Sequence, residues 1–293
     1  MALFGRAAQA LQERAYSDSI SSGAGYAACC VLAAMAPGVL AQHLTRRHRW
    51  LRLAATAAAA WTVIGSASLT SEAERIRSAL QAGDIEVARG ALPSLCGRDP
   101  QGLDEHELAR AVIESVAENA SDAIVAPLLW GAVGGLPGFL GYRAVNTLDS
   151  MVGYRSARYA RFGWASARLD DVVNWAPARL TGLLAGGLAG VAGGRAAQSW
   201  QAMRTYGSHH PSPNAGRCEA AFAGALGVTL GGTNAYGGVT EKRQRLGDGR
   251  TPEAADIARA VRLCRATAAA ASIIAAAAAM IAGRGARAAG TPG

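Results

Sequence analysis

Residues 19–41, SISSGAGYAACCVLAAMAPGVLA, contain no charged side chain. A helix needs roughly 20 residues, about 30 Å at 1.5 Å per residue, to cross the hydrocarbon core of a bilayer, so this stretch predicts a transmembrane helix. A second apolar stretch at 53–71 follows the basic turn Arg46, Arg47, Arg49 and Arg52, with Trp50 and Trp61 near its start and middle. Together they predict a helical hairpin over 19–71, and the arginine turn asks for a cytoplasmic position.

Further uncharged runs lie at 123–142, 180–194 and 266–283. Gly134, Gly135, Pro137 and Gly138 interrupt the first, which predicts a broken or re-entrant segment. Gly182, Gly186, Gly190 and Gly194 recur every fourth residue in the second, laying a smooth strip for close helix packing. The third is the C-terminal helix. The segment after Arg143 is again arginine-rich and asks for the cytoplasm too, which agrees with the first turn only if 123–142 crosses fully.

Composition supports a bilayer setting. The chain of 293 residues is 51% hydrophobic and 17% charged, with a mean hydropathy of +0.13, outside the usual soluble range. Its formal net charge is +8, yet nearly every basic residue is Arg and Lys242 is the only lysine. GC-rich coding accounts for Arg, Ala and Gly rising together. No basic cluster alternates with aromatics and no nucleic-acid motif occurs, so no nucleic-acid partner is expected. Five cysteines without CxxC spacing indicate neither a disulfide framework nor a zinc site. No cleaved signal peptide is visible. The expected fold is all-α: one membrane-embedded domain over 1–293, with about four to five embedded helices. A polar segment at 72–122, a core motif region at 114–240 and the helix at 266–283 complete it.

Polar residues gather in four places. Arg110, Glu114, Glu118 and Asp122 share one helix face by fourfold spacing, with Asn119 beside them. Three aligned carboxylates repel, so Arg110 or a cation such as Mg²⁺ is expected among them. Asn146, Asp149 and Ser150 share a second face, followed by Tyr154, Arg155, Arg158 and Arg161; guanidinium groups there match phosphate geometry. Arg168, Asp170, Asp171 and Asn174 form an acidic DDxxN pattern suited to Mg²⁺ on a di- or triphosphate. His209, His210, Ser212 and Asn214 lie in the proline-rich loop HHPSPNAG, read as shaping a pocket rather than ligating metal. No Walker-type or dinucleotide-binding glycine loop occurs.

ENASDAIVAPLLWG (118–131), YRAVNTLDSMVGYRSARYARFGWASARLDDVVNWAPAR (142–179), HPSPNAG (210–216) and EAAFAGALGVTLGG (219–232) resemble the CobD/CbiB family of cobalamin-biosynthesis membrane proteins, the adenosylcobinamide-phosphate synthases. The resemblance covers most of the chain beyond Leu92. It implies a multi-pass inner-membrane ligase that uses ATP to condense the corrinoid adenosylcobyric acid with (R)-1-aminopropan-2-ol phosphate, or with free aminopropanol. An acyl phosphate or equivalent must form first, with Mg²⁺ and arginine stabilising the transferring phosphoryl group.

Asp149, Asp170, Asp171 and Asn174 are then expected at metal and nucleotide phosphates. Glu114, Glu118 or Asp122 are expected at the amine and its proton, with Asn119, Asn146 and Ser150 alongside. Tyr154, Arg155, Arg158, Arg168, His210, Ser212 and Asn214 are expected on substrate. Members of that family usually open with a further apolar helix and a GDP…HPV motif, whereas this chain begins MALFGRAA, so an upstream segment is expected in the natural protein. The alternatives from other classes are a metal-dependent membrane transferase and a non-enzymatic transporter; the density of polar residues in connecting segments favours an enzyme.

Overall fold

A computed structural model describes residues 2–154 and 156–288. It is helical apart from one small hairpin, as the periodicity predicts. Four helical stretches are long and apolar enough to cross a membrane: Ile20–Thr45, Arg49–Gln81, Glu105–Val152 and Ala254–Ile281. The chain is an all-α polytopic membrane protein. It divides into two compact units.

The first unit takes in Met1–Ile64, Ala126–Asn174 and Ser272–Gly293. It contains α1 (Ala2–Ala15), α2 (Ile20–Thr45), α3 (Arg49–Val63), α7 (Ala126–Val152), α8 (Trp164–Val173) and the end of α12 (Ala254–Ala288). A buried cluster of Ala8, Tyr26, Ala27, Cys30, Leu148, Val152 and Phe162 joins α1, α2 and α7. The ring of Phe162 lies 5.1 Å from Tyr26 and 5.3 Å from Tyr16.

α7 is not one rod. Gly135 adopts φ 63°, ψ −144°, a conformation open to glycine but strained for other residues. The chain reverses there: a Cβ on Gly138 would overlap the carbonyl oxygen of Trp130, and one on Gly131 would overlap the ring of Phe139. Residues eight apart on a straight helix would be separated by about 12 Å, so the arms 126–134 and 136–152 fold against each other. Gln42 of α2 accepts the Leu136 N–H through Oε1 at 3.1 Å, meeting a donor that the break leaves over. The interrupted stretch expected at 123–142 is therefore broken, reversing at Gly135.

The second arm of α7 runs antiparallel to α2. Gly38 lies against Pro137, Gly141 against Met35, and Gly23 against the Phe162 carbonyl. The arginine turn and the arginine-rich segment around Arg158 and Arg161 consequently lie at opposite ends of α2.

The second unit, Gly65–Val125 with Trp175–Ala271, contains α4 (Ser66–Gln81), α5 (Ile85–Ala91), α6 (Glu105–Ala120), α9 (Trp175–Gly187), α10 (Ala196–Tyr206), α11 (Ala215–Leu226) and the start of α12. α11 is its spine: Cys218, Ala220, Ala221, Phe222, Ala223 and Ala225 are wholly buried, because small side chains let α6, α9 and α10 close around them. Asp104 and Glu107 cap α6 reciprocally, with Glu107 N donating to Asp104 Oδ1 at 2.8 Å and Asp104 N to Glu107 Oε2 at 3.1 Å.

Three further expectations change here. The apolar arm at 53–71 breaks at Ile64, which is extended (φ −82°, ψ 119°), so α3 and α4 are separate helices. The run at 180–194 is no span: α9 stops at Gly187 and a short 3₁₀ turn follows. Its glycine strip does serve packing, since Gly182 faces Met203, Gly186 the Trp200 ring and Gly194 the Ala225 backbone, while Gly190 has an open face. Finally, β1 (Thr233–Tyr236) pairs with β2 (Val239–Lys242), joined by Gly237 and Gly238 at φ 56° and 79°, the two-residue hairpin turn that a Gly-Gly pair favours.

Candidate functional site

In the first unit the polar residues collect at the end of α7 and along α8. Asn146, Asp149 and Ser150 share a face as the spacing predicts. The Ser150 hydroxyl turns back to donate to the Asn146 carbonyl at 2.9 Å, and Tyr154 donates to the Ser150 carbonyl. Asp149 lies at the closing turn, where Gly153 N donates to its carbonyl at 2.7 Å. A Cβ at Gly153 would overlap the Asp149 carboxylate, so glycine makes room for that side chain.

Asp170 and Asp171 come from the last turns of α8. Asp171 pairs with Arg168 at 3.3 Å. Asp170 is different: its Oδ1 is buried without a hydrogen-bond partner. Burial, then the neighbouring Asp149 carboxylate, pushes its carboxyl up to about 7, although the amides of Asn174 and Asn146 favour the ionised form. Asn174, 1% exposed, accepts from the Tyr142 hydroxyl at 2.9 Å. Arg143 Nη1 donates to Asn146 Oδ1 at 3.2 Å. The cluster thus combines repelling carboxylates, amides and an orphaned acidic oxygen. Among the described residues no three His, Cys, Asp or Glu side chains converge as a complete metal-ligand set. The donors present suit a cation such as Mg²⁺, which takes one or two carboxylates and completes its shell with water and substrate phosphate.

The other residues expected on substrate in this region are spread around it. Arg158 lies over the rings of Tyr16 at 4.9 Å and Tyr159 at 5.5 Å, while Tyr16 donates to the Arg158 carbonyl at 2.9 Å. Arg155 lies outside the described residues.

The second unit buries its own charged cluster. Glu114, 5% exposed, is bound by Arg98, 4% exposed, and accepts Gly231 N at 2.7 Å. Arg110 stands 3.8 Å from the same carboxylate and donates to the Gly231 carbonyl, to Asn234 Oδ1 at 3.1 Å and to the Thr233 carbonyl at 2.9 Å. Glu219, 2% exposed, is held well above the ordinary carboxylate range by burial and then by Glu114 and Glu118. Its Oε1 is 3.6 Å from His210 Nε2.

His210 is neutral, its imidazolium form pushed down to about 4 by burial and then by Arg243. Arg243 Nη1 lies 2.9 Å from His210 Nε2, and Ser212 N donates to Nδ1 at 3.0 Å, so both ring nitrogens are engaged. The loop reading of HPSPNAG fits this placement: Ser212 Oγ accepts from Asn214 N at 3.3 Å and Ala215 N at 3.2 Å at the start of α11, and Asn214 Oδ1 faces Arg179 Nη1 at 3.4 Å.

The cation beside the α6 carboxylates is therefore chiefly Arg98, with Arg110 behind it. The face is not uniform: Glu118 is exposed and Asp122 half-buried on the π-helical turn Ser121–Val125, while Asn119 Nδ2 donates to its own helix at Ser115 O, 2.9 Å. Sequence reasoning passed over Arg98, Glu219, Arg243 and Asp99, which accepts Gly237 N and Gly238 N at 3.0 and 2.8 Å. Glu219 did carry a signal, as a carboxylate within an alanine-rich helix.

No solved structure matches the chain. The family model described as CobD/Cbib protein matches residues 1–264. Curated proteins named cobalamin biosynthesis protein CobD are similar throughout. That of Mycobacterium tuberculosis strain H37Rv is 50% identical over 275 residues, 94% of this chain and 87% of that protein. That of Chromobacterium violaceum is 44% identical over 267 residues, 89% and 83% of the two chains. With a family model spanning nearly the whole chain and this identity to its curated members, the chain belongs to the CobD/Cbib family.

Proposed function

We propose that the protein is a corrinoid-pathway ligase of cobalamin biosynthesis, residing in the inner membrane. It condenses adenosylcobyric acid with (R)-1-aminopropan-2-ol phosphate, or the free amino alcohol, at the expense of ATP. The observation that carries this reading is the family match over residues 1–264; the polar clusters described above support it chemically.

A carboxylate does not form an amide with an amine in water unless its oxygen is first made a leaving group. Asp149 and Asp170, with the amides of Asn146 and Asn174, would hold Mg²⁺. The ion would supply charge neutralisation on the nucleotide phosphates. Arg168 is placed beside Asp171 to orient that carboxylate and add positive charge. Glu118 and Asp122, more accessible than Glu114, suit the amine and its departing proton.

The test is an assay of purified, detergent-solubilised protein with adenosylcobyric acid, the amine, ATP and Mg²⁺, reading the amide product by mass. Product that depends on both ATP and the amine is expected. Absence of product from this chain and from a version extended upstream would overturn the reading. Asp171→Ala is expected to abolish turnover while membrane insertion persists.

A further inference from the structure

The charge balance of the second unit is uneven around the β-hairpin. Arg98 and Arg110 share the single buried carboxylate of Glu114, and burial holds the nearby Glu219 toward its neutral form, so positive charge outweighs negative among these buried side chains. Arg110 lies directly beneath Gly232, where an added Cβ would come 3.2 Å from Nη1. Above it opens a cavity of about 520 Å³ lined by Gly232, Thr233, Lys242, Arg243, Gln244 and Arg245. Three cations line it and no acidic side chain does.

Arg243 is held in place by three side chains. It donates to Glu241 at 3.3 and 3.1 Å and to His210 at 2.9 Å, and lies 5.4 Å from the Tyr236 ring centre. Such a fixed guanidinium has already lost most of the rotamer freedom that binding would otherwise remove. An adjoining cavity of about 380 Å³ shares Gly232 and Arg245 but carries Asp104 and Glu107, so the excess positive charge is on the hairpin side. Lys242, the only lysine among 29 basic residues, lies on the basic wall. Coding bias that favours arginine wherever charge alone matters leaves a lysine unexplained, whereas a compact ammonium is suited to a phosphate as a point charge.

We propose that this hairpin cavity is a binding site for a phosphoryl oxyanion, gripped by Lys242, Arg243 and Arg245 over the buried charge of Arg110. The phosphate belongs either to the nucleotide or to the amino-alcohol phosphate, and in naming these sources the inference rests on the proposed ligase reading. The site itself does not.

The test uses the full chain in detergent, comparing wild type with Lys242→Ala/Arg245→Ala, two exposed positions whose loss leaves the buried cluster intact, and with Lys242→Arg. Binding of inorganic phosphate, ATP and (R)-1-aminopropan-2-ol phosphate is measured by calorimetry, and the KM of each substrate by assay. Wild type is expected to bind phosphate, and the double variant to bind it about tenfold or more weakly, with Lys242→Arg in between and circular dichroism unchanged. The source is read from whichever ligand loses the same factor: ATP for a nucleotide site, the amino-alcohol phosphate for the other.

Wild type that binds none of the three, or a double variant that binds all three as wild type does, overturns the site. Loss of phosphate binding in a protein with no amide-forming activity would sustain the site and remove the ligase reading. Turnover with unchanged affinities and KM values would do the reverse.

Discussion

Asp170 holds a proton that a bound cation would have to displace. Burial and the Asp149 carboxylate raise its pKa in the folded chain from the usual 3.8 to about 7, so between those values the folded chain keeps a proton that the unfolded chain gives up. The stabilisation is complete below about pH 4 and is lost as pH rises through 7. A cation on the carboxylate has the opposite dependence. Mg²⁺ affinity is expected to rise by about tenfold per pH unit below 7 and flatten above it; titration calorimetry from pH 5.5 to 8.5 checks this, and a flat profile would remove Asp170 from the site. Asp170→Asn should abolish the pH dependence together with most of the binding. The buried Arg98–Glu114 pair answers to a different test. Removing one partner strands a charge with only the more distant Arg110 beside it, so Arg98→Ala is expected to cost about 3 kcal/mol or more. Arg98→Met with Glu114→Leu should recover much of that loss in thermal denaturation, and a double variant no better than the single one would mean that the ion pair is not what the site depends on.

The helices were legible where periodicity or an uncharged run carried the message, and illegible where tertiary contacts decided. At α7, Gly134, Gly135, Pro137 and Gly138 announced an interruption, but only the contact of Gly138 with Trp130 turns it into a reversal. Gly138→Val is therefore expected to lower the melting temperature markedly and reduce membrane yield. Gly134→Val, with nothing within 4 Å of its Cβ position, should leave stability within a few tenths of a kcal/mol, roughly, since valine is the better helix former of the two; equal damage from both would refute the hairpin. The break after Val63 was not legible, because residues 53–71 read as one apolar run and the feature that fixes the bend, Gly65 N donating to the Ala123 carbonyl at 3.0 Å, joins residues far apart in sequence. The hairpin was missed for another reason. Thr233–Tyr236 and Val239–Lys242 are short, half-exposed strands without a strong apolar alternation. In the candidate sites, the shared faces of α6 and α7 followed from spacing alone. Arg98, Arg243 and the raised pKa of Glu219 did not, since each depends on which segments the fold brings together: Arg98 reaches α6 from the preceding loop, Arg243 meets the His210 loop, and Glu219 on α11 lies beside Glu114 and Glu118 of α6.

At the scale of the molecule, α2 sets the sidedness of the first unit. Its 26 residues measure about 39 Å, enough to cross the hydrocarbon core, and its two ends carry different chemistry. Gln42 and the arginine turn lie at the end where α7 reverses, while Gly23 meets Phe162 at the end that carries Asp149 and α8. Arginine content alone would send both ends to the cytoplasm, and a helix that spans cannot satisfy that. ATP is supplied on the cytoplasmic side, so if Asp149 and Asp170 serve the nucleotide, their end faces inward and the turn at Arg46, Arg47, Arg49 and Arg52 faces outward, against the usual charge rule. Single cysteines at the exposed positions His48 and Ser156, in a background where the five native cysteines are replaced by alanine, report the two ends independently. A membrane-impermeant maleimide added to intact spheroplasts is expected to label His48→Cys and to spare Ser156→Cys until the membrane is opened. The reverse pattern would keep α2 as a span and remove ATP chemistry from the Asp149 cluster. Labelling of both from the same side would mean that α2 does not cross, and with it would go the antiparallel α2–α7 pairing as a transmembrane unit.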